Sequence, residues 1–288
     1  MKLNADERAL LPTDEDVAFY REHGWYISKT ILPGDLIEEA ILGSERHFAG
    51  DRDARLPVQD GYMDWKPGDG DGVRNCEYVA LQNRQIRRLI EYPLLGAIAA
   101  RLAGSRAVRL FDDQLIFKPP TTNGASSIVG WHTDRAYWMT CTSERMLTAW
   151  IPFHDCPAQM GPLLVIDGSH KWADTSSTRT FNLKELGELE RKLSAEHGPI
   201  TKVPIILQRG QVSFHNCLTI HASDVNRSES PRLSLALHMQ DDENRYRQFL
   251  NDKGVPWQIA NDRMCRHSPD GHPDYTDPEI FPVLWSDD

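Results

Sequence analysis

His132-Thr133-Asp134, His221 far downstream and Arg232 shortly after it are the residues of this chain whose types and spacing carry the most direct chemistry. Two imidazoles and one carboxylate on one face of a metal leave the opposite face open, the arrangement favoured by non-haem Fe(II) oxygenases. Alternate side chains of a β-strand share a face, so His132 and Asp134 can reach one ion without distorting the backbone, while His221 must arrive from a distant strand.

A His-x-Asp triplet is expected by chance roughly once in a chain of this length, and a second copy, His272-Pro273-Asp274, is present. Context separates the two. The first lies between Ile128-Val129-Gly130-Trp131 and Tyr137-Trp138-Met139, which reads as a strand entering a buried pocket. The second is embedded in Ser268-Pro269-Asp270-Gly271, a run of turn formers, and reads as a surface turn.

Residues 210–221 form an irregularly alternating run, expected as a strand, and Arg232-Leu233-Ser234-Leu235-Ala236-Leu237-His238 alternates strictly. Arg232, pointing inward beside Ser234, would be a buried charge in need of an anionic partner. Neither strand supplies an acid, so a ligand carboxylate is the economical partner, matched by the rigid guanidinium fork. A dicarboxylate with one end on the metal and the other on Arg232 satisfies both sites.

The elements that must position these residues are read from periodicity and turn signals. Helices are expected over 14–23, 34–48 and 85–102, short β-type runs dominate from Val108 onward, and a leucine-spaced helical insertion capped by Asn182 spans 182–193. Helices first and strands later give an α+β layout with a double-stranded β-helix core, the cupin-like jelly roll, flanked by N-terminal helices. One domain is expected over 1–288: a mostly helical flank with a lid loop (1–105), the jelly-roll core (106–240) and a C-terminal wrap (241–288). The lid is residues 51–74, rich in Gly, Asp and Pro and carrying Tyr62 and Trp65.

Five motifs then fall in one order: Phe117-Lys118-Pro119-Pro120, Trp131-His132-Thr133-Asp134, Gly161-Pro162 through Gly168-Ser169-His170-Lys171, Ile220-His221-Ala222-Ser223, and Pro231-Arg232. Together with the opening run from Thr13 to Ile27, this pattern resembles the phytanoyl-CoA dioxygenase family of Fe(II)/2-oxoglutarate oxygenases. The resemblance implies His132, Asp134 and His221 as ligands to Fe(II), Arg232 as the clamp on the distal carboxylate of 2-oxoglutarate, and Lys118, Ser223 and Trp150 around the same cosubstrate. Gln114, at an inward position before Lys118, is added to that set. Three protein ligands leave about three positions on an octahedral iron, two for the keto acid and one for dioxygen. Relatives that halogenate replace the metal carboxylate with a small residue; Asp134 is present, which favours hydroxylation or another oxidation.

Several neighbours read as structural. His215 is expected as a hydrogen-bonded core or loop histidine and His170 as a turn cap. Arg135 and Met139 read equally as rim packing, and only Trp138 is assigned to substrate.

Composition sets the remaining bounds. A net charge of −10 with no basic stripe argues against nucleic acid and anionic membranes as partners. Five cysteines without a Cys-x-x-Cys pair indicate neither a disulfide framework nor a zinc knuckle, and with no apolar leader a cytoplasmic setting is expected. The substrate is read as a small molecule of natural-product type. Two rival readings use the same residues: a cupin-like metal-dependent isomerase or lyase, and a non-catalytic jelly-roll binding protein.

Overall fold

A short helix α1 (Ala5–Arg8) precedes α2 (Asp14–His23), which starts where Thr13 accepts the N–H of Asp16 and the Asp16 carboxylate accepts that of Thr13. Gly24, at φ +80°, ends α2 and turns the chain into β1 (Trp25–Ile27). The apolar stripe of α3 (Gly34–Phe48) buries Leu36, Ile37, Ala40 and Phe48. The computed structural model describes residues 2–121, 127–172, 178–182 and 186–287.

After β2 (Arg74–Glu77) and the single turn α4 (Val79–Gln82), the helix expected over 85–102 is two helices, α5 (Arg84–Ile90) and α6 (Pro93–Ala103). The break has a local cause. Pro93 has no N–H to donate and forces Tyr92 into an extended conformation (ψ 117°), so the chain must stop one helix and start the next. Leu94, Leu95, Ile98 and Ala99 of α6 are fully buried.

The strands that follow are β3 (Ala107–Lys118), β4 (Val129–His132), β5 (Leu147–Pro152) and β6 (Leu163–Ile166). Helix α7 (Gly187–His197) separates them from β7 (Lys202–Pro204), β8 (Ser213–Asn216), β9 (His221–Ser223) and β10 (Arg232–Asp241), and α8 (Ala260–Met264) precedes β11 (Val283–Ser286). Among the described residues they form two antiparallel sheets. The larger runs β1-β8-β5-β10-β3-β11, with β2 also paired to β3; the smaller runs β4-β9-β6-β7. Two strands of the larger sheet, β1 and β2, thus come from the flank that the sequence marks as mostly helical.

Two expected boundaries shift. The run 210–221 is not one strand: the Asn216 side chain accepts the N–H of Leu218 and its backbone carbonyl that of Thr219, a tight turn that sends β8 to one sheet and β9 to the other. The helical insertion begins at Gly187 with no side-chain cap, and Asn182 lies in a turn. Residues 183–185 fall outside the described residues.

Strand register sorts the larger sheet into two faces. Arg232, Ser234, Ala236 and His238 of β10 pair with Lys118, Ile116, Gln114 and Asp112 of β3, and Ala236 and His238 pair across with Trp150 and Thr148 of β5. The alternate residues Leu115, Ala149, Ile151, Phe214, Leu235 and Leu237 face the helices in one apolar core with Ile37, Leu89, Leu94 and Ile98. One face is therefore anchorage and the other is free for polar groups. Leu237→Ala is expected to lower unfolding free energy by about 2–5 kcal/mol, read from the denaturant midpoint, because a fully buried leucine leaves a cavity that packed helices cannot collapse into.

Candidate metal centre and its two cavities

β4 ends at His132; Asp134 is not in the strand but opens a 3-10 turn (Asp134–Ala136). The alternation that the sequence implied survives because Thr133 keeps an extended backbone (φ −113°, ψ 146°) between them. His221, the first residue of β9, is the ladder partner of His132, so the sheet itself sets the two imidazoles side by side, with ring centroids 4.1 Å apart. One ligating atom from each of His132, Asp134 and His221 lies within 4.8 Å of the other two, and all three residues are buried.

The hydrogen bonds fix which atoms face the centre. His132 Nδ1 donates to the Gly130 carbonyl at 2.8 Å and His221 Nδ1 to the Thr219 carbonyl at 2.9 Å. With the proton placed on Nδ1, each Nε2 keeps its lone pair for a metal. Burial holds both imidazoles below the ordinary histidine range, His221 well below, so both stay neutral donors near pH 7. For Asp134, burial pushes the carboxyl up, but the imidazoles of His221, His215 and His238 reverse this and hold it well below the usual carboxylate range. Two neutral imidazoles and one carboxylate, dry and convergent, are a donor set that fits a divalent first-row ion such as ferrous iron.

The larger sheet orients that carboxylate. Thr148 Oγ1 donates to Asp134 Oδ2 at 2.6 Å, and its oxygen accepts from His238 Nδ1 at 2.7 Å. His215 Nε2 stands 3.3 Å from Asp134 Oδ2, and the His215 ring is 4.4 Å from that of His221. Thus the two imidazoles belong to the smaller sheet and the groups that buttress Asp134 to the larger.

Arg232 is 2 % exposed and no acidic side chain pairs with it among the described residues. Its Nη1 donates to the Gly161 carbonyl, its guanidinium carbon lies 5.4 Å over the Trp150 ring, and Nε has no hydrogen-bond partner. Burial lowers its pKa to about 10, which leaves it charged at neutral pH. Gly161, at φ +62°, brings its backbone so close to 224–225 that a Cβ there would lie 2.4 Å from the Asp224 carbonyl oxygen.

An inner cavity of about 50 Å³ connects this guanidinium to the triad, walled by Trp150, Ser223, Gln114, Ile116 and His215 among others. Of the residues that the sequence placed here, Ser223, Trp150 and Gln114 line it. Lys118 does not: it is fully buried behind Ser223, with Nζ donating to Ser223 Oγ and to the Asp224 carbonyl, each at 2.6 Å. Its ammonium holds Ser223 in place and adds positive potential behind the wall.

An outer cavity of about 140 Å³ opens on the other side of the triad and shares Gln114, His132, Asp134, Phe181 and His238 with the inner one. Trp138, 6 % exposed, lines it with Tyr137, and Met63 of the 51–74 loop forms part of its rim. Arg135 turns away, donating to the carbonyls of Trp138 and Cys141. His170 does not cap its own turn: its Nε2 reaches the Arg21 carbonyl in the last turn of α2, and in the second His-x-Asp triplet His272 is exposed while Pro273 and Asp274 are half-buried.

The model of the family described as phytanoyl-CoA dioxygenase matches residues 28–234 of the chain. This protein belongs to that family. The mouse (Mus musculus) peroxisomal phytanoyl-CoA dioxygenase is 24 % identical over 240 residues, spanning 78 % of this chain and 68 % of the relative. Among solved structures, the family member resembles SnoK, a non-haem alpha-ketoglutarate-dependent carbocyclase from nogalamycin biosynthesis, with a TM-score of 0.70 at 22 % identity over 95 % of this chain and 96 % of that one, which shows a shared fold. It also resembles the epimerase SnoN in complex with Fe3+, alpha ketoglutarate and nogalamycin RO, with a TM-score of 0.68 at 25 % identity over 96 % and 99 % of the two chains.

The sequence reading omitted Thr148, His238, Glu77 and Asp112, all placed at these cavities. For His238 and Asp112 the signal existed: each follows or precedes a chosen residue, Arg232 or Lys118, by an even number of positions on one strand and so shares its face. Thr148→Val should weaken Fe(II) binding by roughly 10- to 100-fold, measured by anaerobic metal titration, while circular dichroism stays unchanged, since it removes only the hydroxyl that orients Asp134.

Proposed function

We propose that this member of the phytanoyl-CoA dioxygenase family is an Fe(II)/2-oxoglutarate-dependent dioxygenase that hydroxylates, or otherwise oxidises, an unactivated C–H bond of a small molecule of natural-product type. The observation that carries the reading is the pairing of a buried metal-competent triad with a buried, acid-free guanidinium at the far end of the same cavity. In this reading the two facing sheets are the two halves of a jelly roll, and the metal lies between them.

His132, Asp134 and His221 hold the iron. Arg232 takes the distal carboxylate of 2-oxoglutarate, with Trp150 flanking the guanidinium and Ser223, itself held by Lys118, closing the wall. When bound, iron with 2-oxoglutarate and dioxygen supplies an oxidant able to take hydrogen from an unactivated carbon, with one oxygen atom going to the substrate, the other to succinate, and CO2 released.

The protein contributes placement and exclusion. Thr148 and His238 keep Asp134 from rotating. Phe181, whose ring lies 4.9 Å from that of His132, borders both cavities and keeps the centre dry. The outer cavity, with Trp138 on its wall, takes the substrate and presents one carbon to the triad, so regiochemistry is set by fit rather than by an acid or base.

The test is turnover of 2-oxoglutarate by protein reconstituted anaerobically with Fe(II) and then exposed to air. Succinate should appear only when iron, 2-oxoglutarate and dioxygen are all present, and Asp134→Ala should abolish it. Arg232→Leu should raise the KM for 2-oxoglutarate by roughly two orders of magnitude with iron content unchanged, because a bidentate charged pair is lost from a buried site. Succinate formation independent of iron, or an unaltered KM in the leucine variant, would refute the assignment.

A further inference from the structure

The face of the larger sheet that looks into the cavities is graded in charge. Along β3 and β10 the rungs read Lys118 with Arg232, then Ile116 with Ser234, then Gln114 with Ala236, then Asp112 with His238, and β2 adds Glu77 opposite Gln114. Six residues of strand separate the cationic rung from the acidic one, about 20 Å at 3.3 Å per residue. The triad lies between them, where the inner and outer cavities meet.

The cationic rung has its account in the proposed reading: Arg232 takes the cosubstrate and Lys118 holds Ser223 and the Asp224 carbonyl. The acidic rung has no such account. Asp112 is 6 % exposed and borders the outer cavity; one of its oxygens accepts the backbone N–H of Asp113 at 2.7 Å. Glu77 accepts from the Met63 N–H at 2.8 Å and from Gln114 Nε2 at 3.1 Å. Neither carboxylate pairs with a lysine, arginine or histidine among the described residues.

The adjacent Asp113 makes the contrast plain. Its oxygens accept the N–H groups of Val79 and Ala80 at the start of α4, so its buried carboxyl is structural. Asp112, one residue earlier and on the other face, opens instead on a cavity whose wall includes the aromatic rings of Tyr137, Trp138 and Phe181 beside Met63, Gln114 and Asn182.

We propose that the outer cavity recognises an organic cation, an alkylammonium or related group, held by Glu77 and Asp112 against the faces of Tyr137 and Trp138 while a neighbouring C–H of the same molecule faces the triad. The inference rests on the oxygenase reading and names its substrate class. The buried Asp112 carboxylate and the half-buried Glu77 carboxylate on adjoining strands repel each other, and Asp112 forfeits hydration, a cost that a bound cation offsets and a neutral ligand does not. Burial first, then the nearby charges of Glu77 and Asp113, push the Asp112 carboxyl well above its usual range, and burial raises that of Glu77. Electron-rich ring faces complete a site for a positive charge.

The experiment compares benzylammonium with its neutral counterpart benzyl alcohol on the full chain loaded anaerobically with Fe(II) and 2-oxoglutarate, using calorimetry or ligand-observed NMR. Benzylammonium should bind at least roughly tenfold more tightly, and the double variant Glu77→Gln, Asp112→Asn should bring the two probes to parity. Equal affinity in the wild type, a preference that survives in the variant, or no binding of the ammonium up to roughly 10 mM would overturn the proposal. If the variant does not fold, the wild-type comparison alone decides. Wild-type succinate release without any substrate reports separately on the oxygenase reading: succinate without cation preference removes only the substrate class, and cation preference without succinate removes the oxygenase.

Discussion

A guanidinium sealed inside the protein with no carboxylate to face it is the constraint around which the rest of the site is arranged. Burying Arg232 costs several kcal/mol unless an anion arrives to share the site, and nothing in the described chain supplies one. The structure tolerates the charge by giving it a carbonyl from Gly161 and the face of Trp150. Neither is an anion, so the site is stable enough to fold yet incomplete without a ligand. In the proposed reading that incompleteness is useful: an anion bound here would gain the full strength of a charged pair in a dry medium, and its other end would be delivered to the triad.

The helical layer makes this affordable. α3, α5 and α6 pack onto one face of the larger sheet, with Leu89, Leu94, Leu235 and Leu237 fully buried between them, and so fix β3, β5 and β10 as a rigid wall. The opposite face then carries Lys118, Arg232, Thr148, His238 and Asp112 without collapsing around them. The smaller sheet brings His132 and His221 against that wall through a single ladder pairing. A metal centre split in this way, with its imidazoles on one sheet and the groups that orient its carboxylate on the other, depends on both sheets keeping their spacing. Mutations in the helical core are therefore expected to reach the iron through Thr148 rather than through the ligands themselves.

Much of this was legible in the chain because β-strand periodicity is a strong code. The alternation Arg232, Ser234, Ala236, His238 places four side chains on one face regardless of what surrounds them, and His132 and Asp134 share a face even though only the first is in the strand. The helices at 14–23 and 34–48 were legible from caps and apolar stripes. What was not legible depended on tertiary meeting points. Pro93 was visible, but the apolar periodicity on both sides of it suggested one continuous helix. The split of 210–221 into two sheets turns on one asparagine at 216, and Glu77 gains its meaning only when β2 joins β3. Lys118 was placed in the right neighbourhood but one layer too far forward, because spacing gives a face and not a depth.

A carbocyclase and an epimerase share this fold, so the triad and cosubstrate pocket do not by themselves select what happens after hydrogen is removed. Selection must lie in what holds the substrate carbon, and in the proposed reading that is the outer cavity. Its walls differ in kind: Tyr137, Trp138 and Phe181 confer shape, whereas Glu77 and Asp112 confer sign. An aromatic wall alone would accept many flat or aliphatic ligands in several orientations. In the proposed reading two carboxyl groups at one end break that degeneracy, because a ligand with a single positive group draws out their charged forms and satisfies them in one direction only, so that the carbon offered to the triad is set by its distance from that group.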